Sequence, residues 1–286
     1  MRVRYILKVK KYGLLLLLIL TLSGCNKNKA TDIPFEITSI PSANQTDQTP
    51  YTQISTLSPN LSPTPKNLEY EIETFLQTNR NCNLPCFWGI YPEATNYTQV
   101  ESFFYGLGKE GFVSNEGDHT YMSTTFAFKE NGRVYLKLDI QNSVVQNIEA
   151  TLDGLWNREI ELKDWSAYNL DEVLRVYGPP TSIELYLDLP NNLILYSIKL
   201  TYKNLDATIL YGGSKSDEGD RPSSQVTVCP GREISSVKMS LGKNPINPEP
   251  SGTSLSMATT LNVNDFHQLY IEDPGTCFDL NISALK

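Results

Sequence analysis

Hydrophobic and polar residues follow two periods in the part of the chain that comes after residue 66. Apolar residues recur with helical spacing over residues 67–77, 98–107 and 169–177. The second and third of these stretches are each followed by segments in which apolar and polar residues alternate, as they do in strands with one buried face. The pattern predicts an α+β fold of two tandem units, each a helix followed by an antiparallel meander.

The first unit, residues 67–160, contains the clearest local signals. Thr98 and Glu101 have the spacing of a capping box, which predicts the start of a helix. Asn131-Gly132 predicts a tight hairpin between two alternating strands. The residues between helix and hairpin include a polar stretch, 114–119, that is interpreted as a loop.

The second unit, residues 161–213, repeats this organisation. Its helix is expected to stop at Gly178-Pro179-Pro180, and alternating strands follow it up to residue 211. The remaining residues, 214–286, form a C-terminal extension with less regular patterning. One strand is predicted there, over residues 234–241.

A helix that closes on Tyr177-Gly178-Pro179-Pro180 before a curved antiparallel meander resembles the SmpA/BamE-like lipoproteins and the tandem-repeat β-lactamase inhibitor protein. The resemblance covers about half of the chain that would remain after removal of the amino-terminal leader. It implies a protein-binding or scaffolding role, with the open face of the sheet as the candidate surface. The C-terminal extension and the segment around Cys82 and Cys86 depart from this pattern.

The amino-terminal stretch has the composition of an export signal. Five basic residues precede an apolar run that reaches Leu22, and the run is short of the roughly 20 residues needed to cross a membrane. It closes on Leu22-Ser23-Gly24-Cys25, which resembles the lipobox of bacterial lipoproteins. The resemblance implies cleavage before Cys25, its acylation, and a lipid anchor on the outer side of a bacterial membrane. An ordinary secretory signal is the alternative interpretation.

Composition separates residues 26–66 from the rest. They are rich in Thr, Ser, Pro and Asn with few large apolar residues, which predicts a disordered tether. Residues 1–25 are the predicted signal peptide and lipobox, and cleavage before Cys25 would leave 19 basic and 32 acidic residues, a net charge of −13. Because such a chain is repelled by phosphate backbones, a nucleic-acid partner is not expected.

Four cysteines follow Cys25, and an exported chain is expected to oxidise them. We favour pairing Cys82 with Cys86 and Cys229 with Cys277, the second pair pinning the C-terminal extension. Cys82 and Cys86 lie in a proline-broken loop, where no helix start lowers a thiol pKa. A structural disulfide is therefore favoured there, and a thiol–disulfide protein is the alternative.

Nucleotide-binding motifs, zinc-ligand spacings and the G-x-S-x-G nucleophile elbow are absent from the sequence, so no cofactor is expected. Asp217, Glu218 and Asp220 are weak calcium candidates, because their spacing lacks the distal glutamate of an EF-hand. The two histidines, His119 and His267, have no sequence neighbours that make a zinc site.

The expected function is a non-enzymatic binding or scaffold role in the cell envelope, with another envelope protein or polymer as partner. Candidate binding residues are aromatic residues of the loop and of the second meander, for which core packing is the competing interpretation: Trp88, Tyr186, Tyr196, Tyr202 and Tyr211. An envelope hydrolase that brings His119 or His267 to carboxylates in three dimensions is the alternative.

Overall fold

The computed structural model describes residues 67–154, 162–190, 193–216, 224–248 and 251–285. Three predictions lie outside these residues: the lipobox cysteine Cys25, the tether over residues 26–66, and the calcium candidates Asp217, Glu218 and Asp220.

Six α-helices and eleven strands make up the described fold. The helices are α1 (Leu68–Thr78), α2 (Tyr97–Gly106), α3 (Leu170–Tyr177), α4 (Pro230–Glu233), α5 (Leu255–Ala258) and α6 (Val263–Glu272). The strands of the first half are β1 (Phe112–Glu116), β2 (His119–Phe128), β3 (Gly132–Gln141) and β4 (Val144–Asp153). Those of the second half are β5 (Ser182–Asp188), β6 (Leu193–Tyr202), β7 (Ala207–Ser216), β8 (Gln225–Val228), β9 (Ile234–Leu241), β10 (Thr253–Ser254) and β11 (Phe278–Asn281).

Nine of these strands form one antiparallel sheet in the order β1-β2-β3-β4-β9-β7-β6-β5-β10. The predicted α+β fold is confirmed, and the predicted meanders correspond to β2 to β4 and to β5 to β7. Strand β9, which comes from the C-terminal extension, pairs with β4 on one side and with β7 on the other. The two meanders are therefore joined into a single sheet.

One face of the sheet is the core. On β3, for example, Val134, Leu136 and Leu138 are buried, and they alternate with more polar residues. Helices α1, α2, α3 and α6 contribute apolar side chains to the same cluster, among them Leu76 of α1 and Phe104 of α2. These helices therefore pack on one side of the sheet.

Both predicted disulfides are present. Cys82 pairs with Cys86 in the loop after α1, with Cα atoms 5.9 Å apart. Cys229 pairs with Cys277, with Cα atoms 4.1 Å apart, and ties the residue before α4 to the segment that leads into β11. Because β8 and β11 pair with each other next to this disulfide, the C-terminal extension is pinned as expected.

The capping box of α2 lies two residues before the predicted one. Asn96 is the N-cap, and its Oδ1 accepts a hydrogen bond from the backbone N–H of Gln99 at 2.9 Å. Oε1 of Gln99 accepts from the N–H of Asn96, also at 2.9 Å. Asparagine caps a helix at least as well as threonine does. The helix therefore begins after Asn96, and the capping box predicted at Thr98 and Glu101 does not form.

Two further corrections concern the first meander. Residues 114–119, expected as a polar loop, include most of β1, which turns at Gly117 into β2. The hairpin between β2 and β3 turns over residues 129–131, and Gly132 pairs with Phe128 as the first residue of β3. A side chain at position 132 would lie 2.6 Å from the Phe128 ring, so glycine is required there for close packing.

None of the helices in the described ranges has the length and apolar character that a membrane span requires.

Candidate binding face

The side of the sheet opposite the helices, here called the open face, carries mainly polar side chains. Strand registers place them in rows, such as Thr125, Tyr135, Thr151 and Lys238, which are cross-strand neighbours on β2, β3, β4 and β9. These residues alternate with the core residues of the same strands, because successive side chains of a strand point to opposite faces. The open face is therefore a broad polar surface built by the strands.

A buried carboxylate organises one end of this face. Asp139 on β3 is buried, and its Oδ1 lies 2.9 Å from Nδ1 of His119 on β2. Its Oδ2 accepts a hydrogen bond from Nδ2 of Asn147 on β4 at 3.0 Å. Gln141 places its Nε2 3.0 Å from Nδ1 of His119 and 3.4 Å from Oδ2 of Asp139. The carboxylate holds these side chains in place, since a buried polar group that loses its partners costs free energy.

An aromatic ring and a lysine lie next to His119, which contacts this carboxylate. The His119 ring stacks on Tyr121 with centroids 5.9 Å apart, and Nζ of Lys137 lies 4.3 Å from the centroid of the Tyr121 ring. Partial burial, followed by the charges of Asp139 and Glu116, raises the pKa of the Tyr121 hydroxyl. The hydroxyl is therefore a neutral hydrogen-bond donor at physiological pH.

The connection between β9 and β10, here called the strap and described over residues 242–248 and 251–252, contacts the open face at two places. The backbone N–H of Asn244 donates to Oδ1 of Asn147 at 3.0 Å, and Nδ2 of Asn247 donates to the buried Glu149 at 2.8 Å. At the other end, the N–H of Gly252 donates to Oε2 of Glu184 on β5 at 2.8 Å. The strap thus binds β4 and β5, which lie on either side of β9, β7 and β6.

Glu184 anchors the second end of the strap. Nζ of Lys199 lies 3.1 Å from its Oε2, and the Tyr186 hydroxyl lies 3.5 Å from the same oxygen. Burial raises the pKa of Glu184, but hydrogen bonds from Gly252 and Lys199 outweigh it and hold the pKa below its usual value. Glu184 is therefore a charged acceptor for the strap at neutral pH.

The hydrogen bonds of the strap go to β4 and β5, and none of those in the described ranges reaches the outward side of β2 or β3. We call this part the bare face, and its side chains are His119, Tyr121, Ser123, Thr125, Arg133, Tyr135 and Lys137. Tyr135 is 37% exposed, and the side chain of His119 is 43% exposed. Exposed tyrosines beside basic groups are typical of surfaces that bind partners.

The aromatic residues chosen from the sequence do not form that surface. Trp88, Tyr196, Tyr202 and Tyr211 are buried in the core, so the expectation that they present a binding face is corrected. Alternation in the second meander places these tyrosines with the aliphatic residues of the same strands, which is the signal for core packing. Of the candidates, Tyr186 alone lies on the open face, half-buried beside Lys199.

Trp88 belongs to a structural hub around the first disulfide. Nδ2 of the buried Asn79 donates to the carbonyl oxygens of Cys82 at 2.8 Å and Cys86 at 3.1 Å. Its Oδ1 accepts from the N–H of Trp88 at 2.9 Å and from the Tyr168 hydroxyl at 2.8 Å. Both cysteines have little or no exposure, and no helix of the described structure begins at either one. The geometry favours a structural disulfide over thiol exchange.

The two histidines have different surroundings. His119 finds its carboxylate in Asp139 and not in the neighbouring Asp118. His267 on α6 lies with Nε2 3.1 Å from the carbonyl oxygen of Leu174, and so joins α6 to α3. In the described part of the chain, no hydroxyl or thiol hydrogen-bonds to either histidine, and no three metal-ligating side chains gather.

No family model, curated protein or solved structure matches the chain. The resemblance to SmpA/BamE-like lipoproteins stays a prediction from the sequence, and the geometry of the open face is the main guide to function.

Proposed function

We propose that the protein is a lipid-anchored binding protein of the bacterial cell envelope, and that a partner protein docks on the bare face. The observation that carries the proposal is the contrast between the two sides of β2 and β3. One side is covered by helices, whereas the other exposes Tyr135 and carries His119 on the buried Asp139, with Tyr121 stacked on His119 and Lys137 over the Tyr121 ring.

Two features support a location outside the cytoplasm. Both pairs of the last four cysteines lie at disulfide distance, and disulfides persist in oxidising compartments. The leader and Leu22-Ser23-Gly24-Cys25 support export and lipidation. Mass spectrometry of the membrane-extracted protein tests the anchor: a peptide that begins with lipid-modified Cys25 is expected, and an unmodified amino terminus would contradict the anchor.

The cluster of His119 and Asp139 on the bare face suits the binding of a partner better than it suits catalysis. The pair formed by His119 and Asp139 has the arrangement of a general base and its orienting carboxylate. An envelope hydrolase of the acyl-transfer type would also need a nucleophile within hydrogen-bond reach of the histidine. Because none of the described side chains supplies one, we rank hydrolysis below binding.

Site-specific photocrosslinking in cells that produce the protein tests the docking surface. A photoreactive amino acid replaces Tyr135 on the bare face or, as a matched control, Tyr70 on α1, which is 66% exposed on the helix side. We expect a discrete protein adduct from position 135 and none from position 70. Equal adducts at both positions, or none at position 135, would contradict docking on the bare face.

A further inference from the structure

The two edges of the large sheet end differently. Strand β10 has two residues, and α5 begins immediately after it. Strand β1 has five residues and pairs with β2 alone, so no strand of the described residues covers its outer side. An uncovered edge presents backbone N–H and C=O groups that can pair with another chain.

Apolar side chains are exposed at this second edge. Phe112 is 73% exposed and Val113 is 40% exposed on β1, and Tyr105 at the end of α2 is 79% exposed. Natural edge strands are commonly protected by lysine, proline or a bulge. Strand β1 has none of these, and its one charged residue is Glu116. Exposed apolar residues on an unprotected edge indicate an interaction site.

A cleft of about 490 Å³, here called the edge cleft, lies between α2 and β1. Phe104 and Met122, both buried, contribute to its apolar lining, and Val113 lies on the side of β1. Glu101 and Glu110 supply carboxylates to the same lining. A hydrogen bond with Glu101, followed by burial, raises the pKa of Tyr97, another residue that lines the cleft.

The register fixes which way an added strand would point its side chains. Val113 is paired with Met122, on the helix side of the sheet, whereas Phe112 is paired with Ser123, on the open face. Because side chains of a strand alternate, every second residue of an added strand would face the edge cleft, and the others would lie beside Phe112.

We propose that an extended segment of another protein adds to β1 as an outer strand and inserts a lysine or arginine side chain into the edge cleft. Phe104 and Met122 suit the aliphatic stem of such a side chain, and Glu101 and Glu110 suit its cation. Among the described residues that line the cleft, Lys109 is the one basic residue, so carboxylates predominate. This site does not depend on docking at the bare face.

Two synthetic peptides test the inference on the full-length, detergent-solubilised protein. Each has nine residues that alternate valine and threonine around a central arginine or a central glutamate. We expect the arginine peptide to bind at least tenfold more tightly, measured by fluorescence anisotropy. It should also slow amide hydrogen exchange in β1 and not in β10. Equal affinities, or protection that omits β1, would overturn the proposal.

Two double variants test whether the carboxylates of the edge cleft cause the tighter binding of the arginine peptide. Glu101→Gln combined with Glu110→Gln keeps side-chain size and should reduce the arginine preference to threefold or less. Glu73→Gln with Glu130→Gln, at other acidic positions, is the control and should leave the preference unchanged. An unchanged preference in the first variant would overturn the role of the cleft.

A further pair of variants distinguishes a second copy of this chain from another protein as the occupant of the β1 edge. Phe112→Lys places a charge on β1, and Tyr70→Lys places one on α1 as a control. If the protein is a dimer that only Phe112→Lys dissociates, a second copy occupies the edge and the proposal is overturned. A monomer that loses peptide binding through Phe112→Lys, and keeps it with Tyr70→Lys, supports the proposal.

Discussion

Neighbouring residues of β3 belong to two surfaces with different tasks. Leu136 is fully buried under the helices, whereas Tyr135 and Lys137 on either side of it face outward beside the cluster around Asp139. The apolar side gains free energy from the area that it removes from water. The outward side contributes little in that way, yet it holds a fixed set of polar groups. Stability and recognition can therefore change independently in substitutions one residue apart.

The largest expected effect is on the covered side. Leu136→Ala should lower the free energy of unfolding by about 2–5 kcal/mol, because it removes buried methyl groups and leaves a cavity. Thr125→Ala, exposed on the bare face, should change it by no more than about 0.5 kcal/mol. Denaturant unfolding measures both, and similar losses in the two variants would contradict the division between the sides.

A smaller effect is expected beneath the bare face. Asp139→Ala should cost about 1–3 kcal/mol, because Nδ2 of Asn147 and Nδ1 of His119 lose their partner. Asp153→Ala, at an exposed position on β4, is the control and should cost no more than about 0.5 kcal/mol. Equal values for the two aspartate variants in thermal or denaturant unfolding would show that the cluster adds no stability.

The alternation of apolar residues predicted β3 correctly. It also indicated the register of β2 and β3 better than the turn signal at Asn131-Gly132 did. A two-residue turn at Asn131-Gly132 would pair Phe126 with Lys137 and so place a core residue opposite an outward one. The observed three-residue turn pairs Phe126 with Val134, which keeps apolar residues on one side. The hydrophobic pattern therefore overrides the turn signal, because register must keep one face buried.

Other features could not be obtained from local patterns. Strand β9 was predicted, but its place between β4 and β7 depends on pairing between residues far apart in the chain. The contact of the strap with β4 could not be predicted for the same reason, because Asn247 and Glu149 are 98 positions apart. For the site, His119 was found as a candidate, and its partner Asp139 became visible only through the register of β2 and β3.

Paired variants at positions 135 and 136 test the central claim most directly. With the photoreactive amino acid at Thr125 on the bare face, adduct yield in cells and unfolding in vitro are measured for Tyr135→Ser and Leu136→Ala. We expect Tyr135→Ser to lose most of the adduct with little change in stability. Leu136→Ala should be destabilised and, where it stays folded, should keep the adduct. A full adduct yield in Tyr135→Ser would contradict binding at the bare face.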